Sequence, residues 1–306
     1  KEALRDLTLF VGESVPPQEL FSFFSRITTE NELGEVIINL AGLYESHSRY
    51  KEISIFVKEF IDKYPQNLHA AKSYSKLIET NETLKDRDTV INYMKKMGEF
   101  CRTEINPECK TEFRKVSLEI SKKWWDIWLK NKKHTEFSKL TEQAFEILLS
   151  QEDVSLPDSV SRYAYAELLF QQEKYESAGA NYEEVSQNKK LDKTKQHDAL
   201  YGALFSLEKQ MIASSKSDDV LLVEKQKNLA QRYISEFPNG EHVESLQFKL
   251  GFIAYKQQDY DLSLKSLTPF AKSAKNKELK TKAEDIILDI YNIKKDYVNI
   301  QKFAES

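Results

Sequence analysis

The stretch Ile37-Ile38-Asn39-Leu40-Ala41-Gly42-Leu43-Tyr44 sets a pattern that later parts of the chain repeat. Leu40 is followed by a small residue, Ala41, and four positions after the leucine by an aromatic, Tyr44. A second aromatic, Tyr50, follows six residues later, and Pro65 closes the segment. At 3.6 residues per turn, Leu40, Ala41 and Tyr44 lie along one helix face. The small residue lets a neighbouring antiparallel helix come close. The aromatic fills the gap beside it, and the proline stops the second helix because it cannot donate the next hydrogen bond. The segment reads as two helices packed on each other.

The same arrangement returns at Tyr165, Ala166, Leu169, Tyr175 and Ala178, and again at Leu250, Gly251, Ala254 and Tyr260. The segments Phe60-Ile61-Asp62-Lys63-Tyr64-Pro65-Gln66-Asn67 and Tyr233-Ile234-Ser235-Glu236-Phe237-Pro238-Asn239-Gly240 are near-copies. Their prolines are 173 residues apart, close to five repeats of about 34 residues. This pattern resembles the tetratricopeptide repeat. The resemblance implies an all-α protein, an α-solenoid of about eight helix pairs in a right-handed superhelix. It runs as a single domain over residues 1–306, with longer inter-helix turns near 81–86 and 209–219.

Elsewhere, apolar residues recur at three- and four-residue spacing, which predicts about sixteen helices of roughly 12 to 22 residues. Pro16-Pro17 and Pro157 suit helix starts, where a missing N–H costs nothing, and Thr29-Glu30-Asn31 and Asn67 suit caps. The whole chain of 306 residues holds only 8 Gly and 7 Pro, too few for the turns of a large sheet protein. With 40% hydrophobic and 31% charged residues it is a folded chain with a wet surface. The formal net charge of -4, with both signs interspersed, leaves no basic field for a phosphate backbone, so no nucleic acid is expected as a partner. No stretch reaches the ~18 apolar residues of a membrane span. The chain opens at Lys1 rather than Met, which leaves room for a signal peptide or lipid anchor ahead of it.

Cys101 and Cys109 are the only cysteines. Eight residues apart on one continuous helix they could not bond, but Pro107 is placed to break that helix. Two free, partly buried thiols are the default reading, and a disulfide is the alternative. The five histidines, His47, His69, His134, His197 and His242, have no partner at a metal-ligand or catalytic spacing. No phosphate-binding glycine loop or nucleophile elbow is present. No catalytic residue, metal site or cofactor is expected, and the partners expected are other proteins or peptides.

Leu250-Gly251-Phe252-Ile253-Ala254-Tyr255, downstream of a Phe-Pro helix stop, resembles bacterial envelope tetratricopeptide proteins, the lipoprotein of the outer-membrane β-barrel assembly machinery among them. Cys109 to Arg114, Trp124-Trp125, Lys133 to Phe137 and Ala144 to Leu149 resemble a narrower group. These are the tetratricopeptide lipoproteins of myxobacterial gliding-motility machines and their relatives in predatory bacteria. That likeness covers about 40 residues, and the Phe-Pro stop of the group is missing after Leu149. It implies a periplasmic or outer-membrane-associated scaffold in an envelope or motility complex. Two rival readings stand beside it: a cytoplasmic adaptor or chaperone-like module gripping an extended peptide, and a helical domain belonging to a larger enzyme.

Trp124 and Trp128, four residues apart, share a face and read as repeat core, whereas Trp125 points elsewhere. The repeat register places Asn39, Trp125, Tyr163, Phe170, Phe248, Lys249, Phe252, Tyr255 and Lys256 on or near the inner surface of first helices, where this fold binds peptides. Aromatics there either supply large rigid contact area for a protein partner or fill the interior of a tight superhelix.

Overall fold

A computed structural model describes residues 2–103, 107–151, 158–216 and 219–304. Among the described residues there are sixteen α-helices and no strand. They run as successive pairs. The first four pairs are α1 (Glu2–Ser14) with α2 (Pro17–Ser25), α3 (Glu30–Ser46) with α4 (Tyr50–Lys63), α5 (Ala70–Thr83) with α6 (Arg87–Thr103), and α7 (Pro107–Lys130) with α8 (Thr135–Leu149). The next four are α9 (Ser159–Gln171) with α10 (Tyr175–Gln187), α11 (Lys193–Ala213) with α12 (Val220–Glu236), α13 (Val243–Lys256) with α14 (Tyr260–Ser273), and α15 (Lys277–Ile293) with α16 (Tyr297–Ala304). Contacts run between neighbours in the order of the chain, the packing of an all-α solenoid. They fall into two compact units, Lys1–Ser161 and Arg162–Ser306, divided early in α9.

One turn recurs inside the pairs. Ser48, Lys85, Glu173, Ser215, Gln258 and Lys295 each take a positive φ, between 54° and 64°, just after a first helix. The N–H of the next residue then reaches back five residues, as in Arg49 to the Tyr44 carbonyl at 2.8 Å and Asp259 to the Ala254 carbonyl at 2.9 Å. This is the Schellman closure, which satisfies carbonyls the helix end would leave orphaned. It is built here on side-chain-bearing residues where glycine is the usual choice.

The turns between pairs carry their own signature. Tyr64 (φ -126°, ψ 61°) and Phe237 (φ -132°, ψ 61°) end α4 and α12 in the same conformation, each just before proline. Asn67 N–H donates to the Tyr64 carbonyl and Gly240 N–H to that of Phe237, so the near-copies in sequence are near-copies in hydrogen bonding. Pro17 starts α2, and Thr29 closes a capping box with Glu32 at the start of α3. Pro157 lies outside the described residues.

In unit 1, Leu40, Ala41 and Tyr44 are all buried. The Tyr44 hydroxyl donates to the Gly12 carbonyl of α1 at 2.8 Å, and its ring meets Phe56 of α4 edge-on. One aromatic therefore ties a pair to its predecessor. Trp124 and Trp128 are buried as expected, and Trp124 Nε1 donates to the buried Glu82 carboxylate at 2.9 Å, which Lys123 neutralises at 3.0 Å. In unit 2, Gly251 is buried against α14: a Cβ there would run into Leu267, and Ser263 donates to the Gly251 carbonyl at 2.9 Å. The small residue permits the close approach read from sequence.

Three expectations are corrected. Residues 81–83 are helical, so the turn near Asn81–Asp86 is only 84–86; Asn81 is polar but buried, its amide donating to the Leu77 carbonyl at 2.7 Å. Residues 209–213 extend α11, so the longer link expected at 209–219 begins only at 214. The cysteines are not free: Cys101 and Cys109 form a disulfide with Cα atoms 5.4 Å apart, both side chains buried. The chain leaves one helix at Thr103 and starts another at Pro107, which brings together sulfurs that a continuous helix would hold apart.

Candidate functional site on the first helices of unit 2

The alternate helices α9, α11 and α13 of unit 2 carry a series of aromatic rings. Tyr201, Phe205 and Glu208 stand at i, i+4 and i+7 on α11, and Phe248, Phe252 and Tyr255 repeat that spacing on α13. Each trio therefore occupies one stripe of its helix. Phe170 of α9 stacks on Phe205 with centroids 5.4 Å apart, and Phe205 stacks on Tyr201 at 6.3 Å. Phe248 and Phe252 stack at 6.2 Å. Phe205 and Phe252 remain 38% and 39% exposed, high for rings of that size, so the stripe is not closed by its own neighbours.

Clefts follow the stripe. One of about 350 Å³ lies between α11 and α13, lined by Tyr201, Phe205, Glu208, Phe248, Lys249 and Phe252 among others. A wider one of about 720 Å³ continues past Ile212, Val220, Ile253 and Lys256. A third, of about 480 Å³, lies on the α9 side and involves Tyr163, Phe170 and Tyr201.

Polar groups set the chemistry. Lys249 contacts the Glu208 carboxylate on the next first helix. Burial pushes its ammonium down to about 8, which leaves Lys249 largely charged at neutral pH, against the Glu208 carboxylate. Tyr163 packs edge-on against Tyr182, and burial followed by the nearby Glu167 charge pushes its hydroxyl up to about 12. Tyr182 donates to Glu167 and is raised for the same reasons. The Tyr255 hydroxyl donates to Asp289 of α15 at 2.5 Å. Among the described residues no group of three or more His, Cys, Asp or Glu is placed to hold a metal ion, and no helix is long and apolar enough to cross a membrane.

Of the nine residues singled out from sequence, Tyr163, Phe170, Phe248, Lys249, Phe252, Tyr255 and Lys256 fall on α9 and α13 of unit 2. Asn39 and Trp125 fall in unit 1. Asn39 is exposed on α3, whereas Trp125 is half-buried with its ring edge-on to Phe145 of α8 at 6.2 Å. Trp125 Nε1 is buried without a hydrogen-bond partner. The sequence reading passed over α11, whose Tyr201, Phe205 and Glu208 form the middle of the stripe. Their i, i+4, i+7 spacing was the available signal.

No family model and no curated protein matches the chain. Among solved structures it is similar to pilF of Pseudomonas aeruginosa, at 11% identity over 90% of both chains and a TM-score of 0.34. Among the described residues the chain is an all-α solenoid, with sixteen helices packed neighbour to neighbour and a turn of one design repeated within its pairs.

Proposed function

We propose that the chain is a non-enzymatic scaffold whose unit 2 stripe takes up a segment of a partner protein, as part of a bacterial envelope or motility complex. The observation that carries the binding reading is the line of aromatic rings bordered by clefts, with Phe205 and Phe252 more than a third exposed. Contiguous exposed apolar area of this kind marks interaction surfaces, and rigid aromatics are the usual anchors. The compartment reading is supported by the buried Cys101–Cys109 disulfide, because such bonds persist where the environment is oxidising. The motility role rests on the resemblance of residues 109–149.

The rival peptide-clamp adaptor needs unpaired cations for a terminal carboxylate. Lys249 is held by Glu208, which counts against that reading. The binding test is Phe248→Ala combined with Tyr255→Ala. The expected result is unchanged helicity, a fall in melting temperature smaller than the control's because Phe248 packs on the Phe270 cluster and Tyr255 bonds Asp289, and loss of partner proteins captured from an envelope fraction, each ring contributing about 1–2 kcal/mol to binding. Leu267→Ala, in the core, is the control and costs about 2–5 kcal/mol. If the double variant melts like the control, the rings are structural. If it folds and captures the same partners, binding lies elsewhere. Alkylation of acid-quenched cells tests the compartment: two free thiols in the cellular protein would remove the support for an oxidising one.

A further inference from the structure

The cavity on the α9 side differs in charge from the rest of the stripe. Its walls include the rings of Phe170, Tyr201 and Phe205; Phe170 and Phe205 stack on each other, and His242 lies flat on one face of Tyr201. Its polar groups include three carboxylates, Glu167 of α9, Asp198 of α11 and Glu241 before α13, and among the described residues neither lysine nor arginine lines it. His197 and His242 are the only basic side chains among its described lining residues. His197 contacts Asp198 at 2.9 Å and His242 contacts Glu241 at 3.0 Å. Burial holds His242 below the usual histidine range, so at neutral pH it does not neutralise Glu241. A cavity of about 480 Å³ therefore joins aromatic rings to three carboxylates that no lysine or arginine among its described lining residues neutralises.

We propose that this cavity receives an arginine side chain from an extended segment of a partner protein, which makes the partner basic at this point. The inference rests on the binding reading above and names the chemistry of its partner. A guanidinium suits both features at once. Its flat, weakly hydrated face stacks on aromatic rings, and its fork of N–H donors pairs with carboxylates in the plane. Lysine would meet the charge but not the stacked walls. The neighbouring cleft between α11 and α13 is walled by Phe205, Phe248 and Phe252 and holds its only lysine in a pair with Glu208. Adjacent first helices are about 10 Å apart, roughly three residues of extended chain. The segment therefore carries an apolar side chain about three positions from its arginine.

The probe is the labelled peptide Ac-Gly-Arg-Gly-Gly-Phe-Gly-amide, measured by fluorescence anisotropy on the whole chain. It is compared with the same peptide carrying citrulline, which keeps shape and loses charge, and with one carrying lysine. Arginine binding at least tenfold tighter than citrulline is expected, with lysine between them. Asp198→Asn with Glu241→Gln, both at exposed carboxylates, should keep the melting temperature and remove most of the preference. Adding Glu167→Gln, which retains an acceptor for Tyr182, should remove the rest. Equal binding of arginine and citrulline peptides, or a preference that survives the carboxylate variants, overturns the proposal. If the peptides bind without charge preference and Phe248→Ala with Tyr255→Ala abolishes that binding, the groove stands and its cationic specificity falls. If neither peptide binds, the specificity falls, and the groove is judged by the capture experiment.

Discussion

His242 shows how much a single ring can carry. It lies flat on Tyr201, centroids 3.4 Å apart and planes 9° apart, with His197 stacked at 6.2 Å. Burial, reinforced by the His197 charge, lowers its pKa from the ordinary 6.5, while Glu241 and Asp198 pull it back. His69 of unit 1 is lowered in the same way, by burial first and Lys72 second. A base held neutral in the fold binds fewer protons than in the unfolded chain. Its stabilisation is complete above about 6.5 and is lost as pH falls through the lowered folded value. Carboxylates such as Glu32 and Glu236, held below their ordinary 4.5, lose theirs only in more acid solution. The melting temperature should hold steady from pH 8 to 6.5 and decline toward pH 5. His69→Gln with His242→Gln should flatten that decline. A double variant with an unaltered profile would mean other groups titrate there.

At the scale of the element, the repeated turn between paired helices asks for a left-handed residue and obtains it without glycine. Gln258 sits at φ 60° with its own N–H on the Tyr255 carbonyl and the next N–H on that of Ala254. A side-chain-bearing residue pays about 1 kcal/mol or more for that conformation, partly offset by its smaller entropy loss on folding. Gln258→Gly should therefore raise the unfolding free energy by about 0.5–1 kcal/mol in urea. Gln258→Pro, which removes the donor and fixes φ near −65°, should lower it by about 3 kcal/mol or more. A glycine variant no more stable than the parent would place the cost of the turn elsewhere. These elements also show what the sequence made legible. Leu40, Ala41, Tyr44 and Gly251 could be placed because they lie in helices of 14 to 17 residues, close to the repeat. α7, with 24 residues, and α11, with 21, run past it. Each extra residue turns the face by 100°, so a register carried into a lengthened helix drifts. The repeat pattern therefore gives little hold on Tyr201 and Phe205 in α11, or on Trp125 in α7, whose ring stands edge-on to Phe145. The disulfide was open in sequence because one break near Pro107 decides between two outcomes.

For the molecule as a whole, contacts that run between successive helices make stability local. The cluster around Leu267, Phe270, Ala283 and Ile287 draws on residues from α13 to α16, and the one around Leu200, Leu204 and Tyr233 on α9 to α13. A core lesion should loosen its own neighbourhood first. Leu267→Ala is expected to speed amide hydrogen exchange in α13 to α15 while exchange in α3 to α5 of the other unit keeps its rate. Uniform acceleration along the chain would mean that it opens as one cooperative body. The repeated turn has a further consequence, which concerns descent. Its closure is made by backbone N–H and carbonyl groups, and the left-handed position is filled by Ser, Lys, Glu and Gln alike. Almost any substitution there leaves the joint intact, so selection has little to hold fixed. A lineage built on such joints can rewrite most of its letters and still inherit the same architecture.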